Sequence, residues 1–120
     1  MRQAFAHTAE LSMPTGDDPA AVGAAITVAL CGHWEHEPPC PLAPHHTGAE
    51  RDGETVRVRT LFAAEPDQEP EVRRLIEQAL RSGELSGPDG ATARWQLRGS
   101  EAAEVSPEER AHAERLIRYG

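Results

Sequence analysis

The sequence predicts an α+β fold, a ferredoxin-like βαββαβ sandwich with an additional C-terminal helix. Three observations carry this expectation. Apolar and polar residues alternate at period two around 4–13, 55–63 and 91–98. A helical stripe with its own start and stop signals occupies 69–82. Between the two halves, Arg51-Asp52-Gly53-Glu54 reads as a hairpin turn, because Asp-Gly suits a turn that needs positive φ.

The first strand is expected where Phe5, His7, Ala9, Leu11 and Met13 alternate with Ala4, Ala6, Thr8 and Glu10, and Pro14-Thr15-Gly16 ends it. His7 falls on the apolar face and is expected to be a hydrogen-bonded core histidine. Residues 17–32 allow two readings. Asp17 or Asp18 can cap a helix with Pro19 at its first position. Val22, Ala25, Ile26, Ala29 and Leu30 then form one stripe, and Gly32 can terminate it. Ile26-Thr27-Val28-Ala29-Leu30 also fits a strand. The helix is favoured because cap, stripe and stop agree.

Pro38, Pro39, Pro41 and Pro44 make 33–44 a loop. A short strand at about 45–50 precedes the hairpin turn, and a stronger one at 55–63 follows, with Val56 and Val58 alternating with Arg57 and Arg59. The next helix begins near Pro70. Val72, Leu75, Ile76, Ala79 and Leu80 line one face, Glu69 and Glu71 lie in the first turn, Arg81 in the last, and Gly83 terminates it. Ser86-Gly87-Pro88-Asp89-Gly90 is a loop. Ala93, Trp95 and Leu97 mark a strand over 91–98. Ser106-Pro107-Glu108-Glu109 is a capping box that opens a final helix to about Tyr119, with His112 on its surface.

The chain of 120 residues is read as a single domain, 1–120, able to bury one modest core. Aromatic residues make up only 4%, so that core must rest on Val, Leu, Ile and Ala. The formal charge of −8 argues against nucleic acid and anionic membranes as partners. All 12 basic residues are Arg, a codon bias that fits a GC-rich bacterial genome. Neither a signal-peptide pattern nor an apolar run of spanning length occurs, so the expected location is cytoplasmic.

The chemistry concentrates in Cys31-Gly32-His33-Trp34-Glu35-His36-Glu37-Pro38-Pro39-Cys40 and the following His45-His46. Both cysteines and four of the six histidines fall there. Thiolate and imidazole hold borderline and soft metals. The expectation is therefore a small accessory or interaction protein that binds a zinc or copper ion. Cys31, His33, His36 and Cys40 form the core ligand set, and His45 and His46 are further candidates. His45 and His46 are strand neighbours whose side chains point to opposite faces, so one at most joins the same ion.

Two alternatives stand beside it. One is a small metal-dependent enzyme with an open coordination position near Glu35 or Glu37. The other is a protein without metal, in which Cys31 and Cys40 form a disulfide or redox pair. No phosphate-cradling glycine motif, Gly-x-Ser-x-Gly or His-Glu-x-x-His is present. In architecture alone the chain resembles the small heavy-metal-associated domains. Those carry a Cys-x-x-Cys pair between the first strand and first helix, and residues 13–18 hold none, so neither their ligands nor their copper-delivery role is carried over.

Arg57, Arg59, Arg94 and Arg98 are expected to share the outer face of the sheet. Without exposed aromatics for base stacking, that face does not read as an RNA platform. It is expected to be solvated, or covered by a second copy in a homodimer, with its arginines paired to carboxylates.

Overall fold

The computed structural model describes residues 1–31, 43–86 and 92–119, the side chains of Cys31 and Tyr119 excepted. The fold is a mixed α+β arrangement. Among the described residues it contains six strands and three α-helices: β1 Gln3–Ser12, α1 Ala20–Cys31, β2 His45–Asp52, β3 Thr55–Ala64, α2 Glu69–Ser82, β4 Glu84–Ser86, β5 Thr92–Arg94, β6 Gln96–Ala103 and α3 Arg110–Tyr119. Four strands form one sheet in the order β2-β3-β1-β6, and β4 and β5 form a separate ribbon. Every pairing is antiparallel. α1 links β1 to β2 and α2 lies between β3 and β6, so each helix bridges strands two places apart. No helix among the described residues is long and apolar enough to cross a membrane.

Helix wins over strand at 20–31 because the start is well made. Asp18 Oδ1 accepts from the Ala20 N–H at 2.9 Å, and Pro19 follows the cap. Val22, Ala25, Ile26 and Leu30 are buried in one cluster with Leu11, Val56, Val58 and Phe62 of the sheet and Met13 just past β1. α2 adds Val72, Ile76, Ala79 and Leu80 to the same cluster. Leu75, expected among the buried set, is only partly buried and packs at the cluster's margin. Gly83 ends α2 at φ 73°, and a Cβ there would meet the Trp95 carbonyl oxygen at 3.0 Å. Both facts require glycine.

The hairpin forms one residue later than the sequence suggests. β2 runs on to Asp52, which pairs with Thr55, leaving Gly53 and Glu54 as the loop. Gly53 alone takes positive φ, 63°, as a two-residue turn with glycine first requires. Arg51 fixes this end of the sheet. Its guanidinium donates to the carbonyls of Met13, Pro14, Asp17 and Gly53 at 2.6–3.2 Å.

The strand expected at 91–98 is two elements. β5 pairs with β4, which alternation over three residues is too short to reveal. β6 continues to Ala103, beyond the expected end at 98. Trp95 stands at the break and is buried, with Nε1 donating to the Leu80 carbonyl at 2.8 Å. The ladder between β1 and β6 skips Arg98: Leu97 pairs with Leu11 and Gly99 with Glu10.

β3 explains the third layer. Its first half alternates, with Val56 and Val58 buried and Arg57 exposed, whereas Thr60 through Ala64 are buried without a break. The change marks where α3 crosses the outer face. Ala113 of α3 is buried, as are Ala6 and Leu61 in the sheet, and α3 packs against both β3 and β1. The sheet is thus covered by α1 and α2 on one side and by α3 over part of the other.

Ile76 is 1% exposed, so Ile76→Ala should cost about 2–5 kcal/mol in urea denaturation. Leu75→Ala should cost distinctly less. Equal losses would place Leu75 inside the core after all.

Candidate functional site

The expected metal-binding function is corrected by the structure. Among the described residues no three His, Cys, Asp or Glu side chains converge on a point that could hold a metal ion. His45 and His46 lie on opposite faces of β2. His45 Nδ1 donates to the Ala43 carbonyl at 3.1 Å, and its Nε2 meets the Thr27 hydroxyl at 3.0 Å, so both ring nitrogens already have protein partners. His46 lies across the sheet from it, with its ring against that of His112 on α3, centroids 4.7 Å apart at 53°. His33, His36 and Cys40, the flanking Trp34, Glu35 and Glu37, and the Cys31 side chain with its proposed pairing to Cys40 lie outside the described residues.

A broad concave surface lies elsewhere among the described residues, on the outer face of the sheet beside α3. Its floor follows from the strand register. One row across the sheet reads Gly99, Glu10, Arg57, Glu50, and the next reads Glu101, Thr8, Arg59, Gly48. The third, Ala103, Ala6, Leu61, His46, passes under α3. Small residues in the first two rows and helix α3 standing on the third leave an open basin of about 1000 Å³. A Cβ at Gly48 or Gly99 would meet nothing within 4 Å. These glycines are vacant positions in the floor, not conformational necessities.

The wall is held by one ion pair. Arg59 donates from Nε and Nη2 to the two carboxylate oxygens of Glu109, each at 2.7 Å, and Nη2 also reaches the Glu104 carbonyl at 2.6 Å. The Ser106 N–H donates to the same carboxylate at 3.0 Å. The hydrogen bonds from Arg59 pull the Glu109 carboxyl down to about 2, against the opposing effect of its burial. Beside it, burial lowers the His112 pKa, and His46 and Arg115 add to the effect while Glu109 opposes it. His112, expected to be a simple surface residue, is instead half-buried against the sheet.

The four expected surface arginines separate. Arg57 and Arg59 lie on the outer face. Arg57 stands between Glu10 and Glu50 in register, with Glu10 at 3.8 Å in a solvated pair worth little. Arg94 belongs to the β4–β5 ribbon, where it meets Glu84 at 3.4 Å, and Arg98 occupies the bulge.

A second constellation has the spacing of a nucleophile and its base. His7 Nε2 lies 2.7 Å from Ser100 Oγ. Its other nitrogen decides the chemistry. Arg73 Nη1 lies 3.1 Å from Nδ1, and a guanidinium has only donors, so Nδ1 must be the acceptor. The proton then sits on Nε2 and is donated to Ser100 Oγ. A nitrogen that already carries its proton cannot remove one from the hydroxyl. His7 is a satisfied core histidine, not a base.

The chain matches no protein-family model, and no curated protein is similar to it.

Glu109→Gln should loosen α3 and cost on the order of 1–3 kcal/mol at neutral pH, as loss of charge-assisted bonds does. A carboxyl whose folded pKa is depressed stabilises fully above its ordinary value of 4.5 and ceases to do so as pH falls through about 2. The gap between wild type and variant in denaturation midpoints should therefore narrow below pH 4.5 and close near 2. A gap unchanged over that range would remove the carboxylate as its cause.

Proposed function

We propose that the protein is a small binding module that takes a low-molecular-weight polar ligand with a cationic group in the basin on the outer face of its sheet. The basin itself carries this reading: a concavity of about 1000 Å³, within the size range of small-molecule sites. Its charge chooses the ligand class. Glu10, Glu50, Glu101, Glu108 and Glu109 border it, against Arg57 and Arg59. Glu109 and Arg59 satisfy each other. The remaining carboxylates outnumber Arg57, and they suit an amine or guanidinium through charge-assisted hydrogen bonds. The overall charge of −8 draws such a ligand in. Met1 is the only exposed large apolar side chain among the described residues, which favours a small polar ligand over an apolar protein face.

We also assign the ferredoxin-like class. It is supported by the order β2-β3-β1-β6 with two helices that each bridge strands two places apart, to which the β4–β5 ribbon and α3 are additions.

Spermidine and agmatine serve as cationic probes, with citrate and phosphate as anionic ones, and NMR titration of the full chain reads the outcome. The cationic probes should shift the Gly48 amide and the His46 and His112 ring signals, with Kd below about 1 mM, or roughly −4 kcal/mol. Gly48→Val, which fills open space, should weaken binding at least tenfold and leave the melting temperature unchanged. Preference for the anions, or no shift at millimolar probe, would overturn the reading.

A further inference from the structure

His7 lies at the junction of β1, β6 and α2 and is only 5% exposed. Its neutral form fits the junction completely. Ser100 Oγ accepts from Nε2–H, and Nδ1 accepts from Arg73. The same Arg73 Nη1 donates to the Ala6 carbonyl at 2.7 Å, and the guanidinium carbon lies 5.3 Å from the Phe62 ring centroid and 5.9 Å from that of Phe5. Arg73 thereby ties the first half of α2 to β1 through the histidine, a carbonyl and the Phe5 ring, and to β3 through the Phe62 ring.

We propose that this contact is an acid-released catch: when His7 takes a second proton, Arg73 is expelled and the first half of α2 lifts from β1. An imidazolium has donors at both nitrogens, so Nδ1–H would confront the Arg73 N–H, with like charges in contact inside the fold. The guanidinium has somewhere to go. Its Nε is already held by Glu69 Oε2 at 2.7 Å, at the outer end of the same helix. Glu77 on α2 and, from the opposite face of β6, Glu101 favour its charged form electrostatically, but burial and Arg73 outweigh them, and the pKa is lowered. A lowered value means that the unfolded or opened chain binds the proton more readily. Acidification through the ordinary histidine value of 6.5 therefore favours opening, and the stabilisation is intact above it.

The full chain is followed by amide hydrogen exchange at pH 7.5 and 5.0, corrected for the intrinsic pH dependence of exchange. Amides of 72–76 should exchange at least tenfold faster at the lower pH, while those of 22–30 in α1 stay constant. His7→Gln keeps an acceptor for Arg73 and a donor for Ser100 but cannot titrate, and it should abolish the acceleration. Should that variant fail to fold, ¹⁵N shifts of the wild-type ring decide. His7 neutral with its proton on Nε2 at pH 7.5, titrating together with the exchange of 72–76, supports the catch. A proton on Nδ1, a titration unrelated to that exchange, or equal acceleration in His7→Gln overturns it.

Discussion

Arg73 is the residue on which the inner layer turns. Its side chain is 16% exposed, so its charge is mostly removed from water and must be compensated on the spot. The compensation comes from Glu69 on its own helix, the Ala6 carbonyl and His7 on β1, and the faces of Phe5 and Phe62. Those partners belong to α2, β1 and β3. An apolar helix face slides on an apolar sheet with little penalty, because the hydrophobic effect has no direction. A guanidinium with five directed donors does not. Arg73 thus sets the angle and register at which α2 meets the sheet, and it fixes the tautomer of His7 as a consequence.

The outer layer is built on a different rule. α3 fully buries only Ala113, with Leu116 and Ile117 partly buried, and the Arg59–Glu109 pair ties its start to β3. Because α3 spans only one end of the sheet, the rest of that face is left open among the described residues. The rows there carry Glu10, Arg57, Glu50 and Glu101, with Gly48 and Gly99 leaving gaps. One short helix anchored by one ion pair is therefore what turns a flat polar sheet face into a concave one.

The parts of the fold that were legible in sequence were those whose signal is local. α2 announced itself through its stripe, acidic start and terminal Gly83, and β1 and the first half of β3 through alternation. Alternation failed where a second layer covered the other face, as at Thr60–Ala64. The β4–β5 ribbon is too short to hold a period, and the alternation of Ala93, Trp95 and Leu97 does not extend over the remainder of β6 to Ala103. The candidate site was hardly legible. The dense Cys/His segment drew attention to 31–46, whereas the basin arises from residues on three paired strands and a distant helix. Glu109 read as half of a capping box, and nothing local tells of its bond to Arg59, 50 positions away. Gly48 was the one available hint, since a glycine inside a strand marks close approach or an unfilled space.

A chain with 4% aromatics, whose core is mostly Ala, Val, Leu and Ile beside Phe62, Met13 and Trp95, has few large side chains with which to lock its layers. It uses arginine instead. Arg51 collects four carbonyl oxygens where β2 meets the turn after β1, Arg59 joins β3 to the start of α3, and Arg73 joins α2 to β1. Each combines backbone carbonyls or a carboxylate from segments far apart in sequence, which a planar, many-donor group can do and a single ammonium cannot. The chain has no lysine, and the structural result is specific: every basic side chain available to this fold is one that can bridge. Surface arginines such as Arg57 and Arg81 spend that capacity on solvated pairs of small value. The three at the junctions define the architecture, and the basin exists because one of them, Arg59, is committed to holding α3 in place.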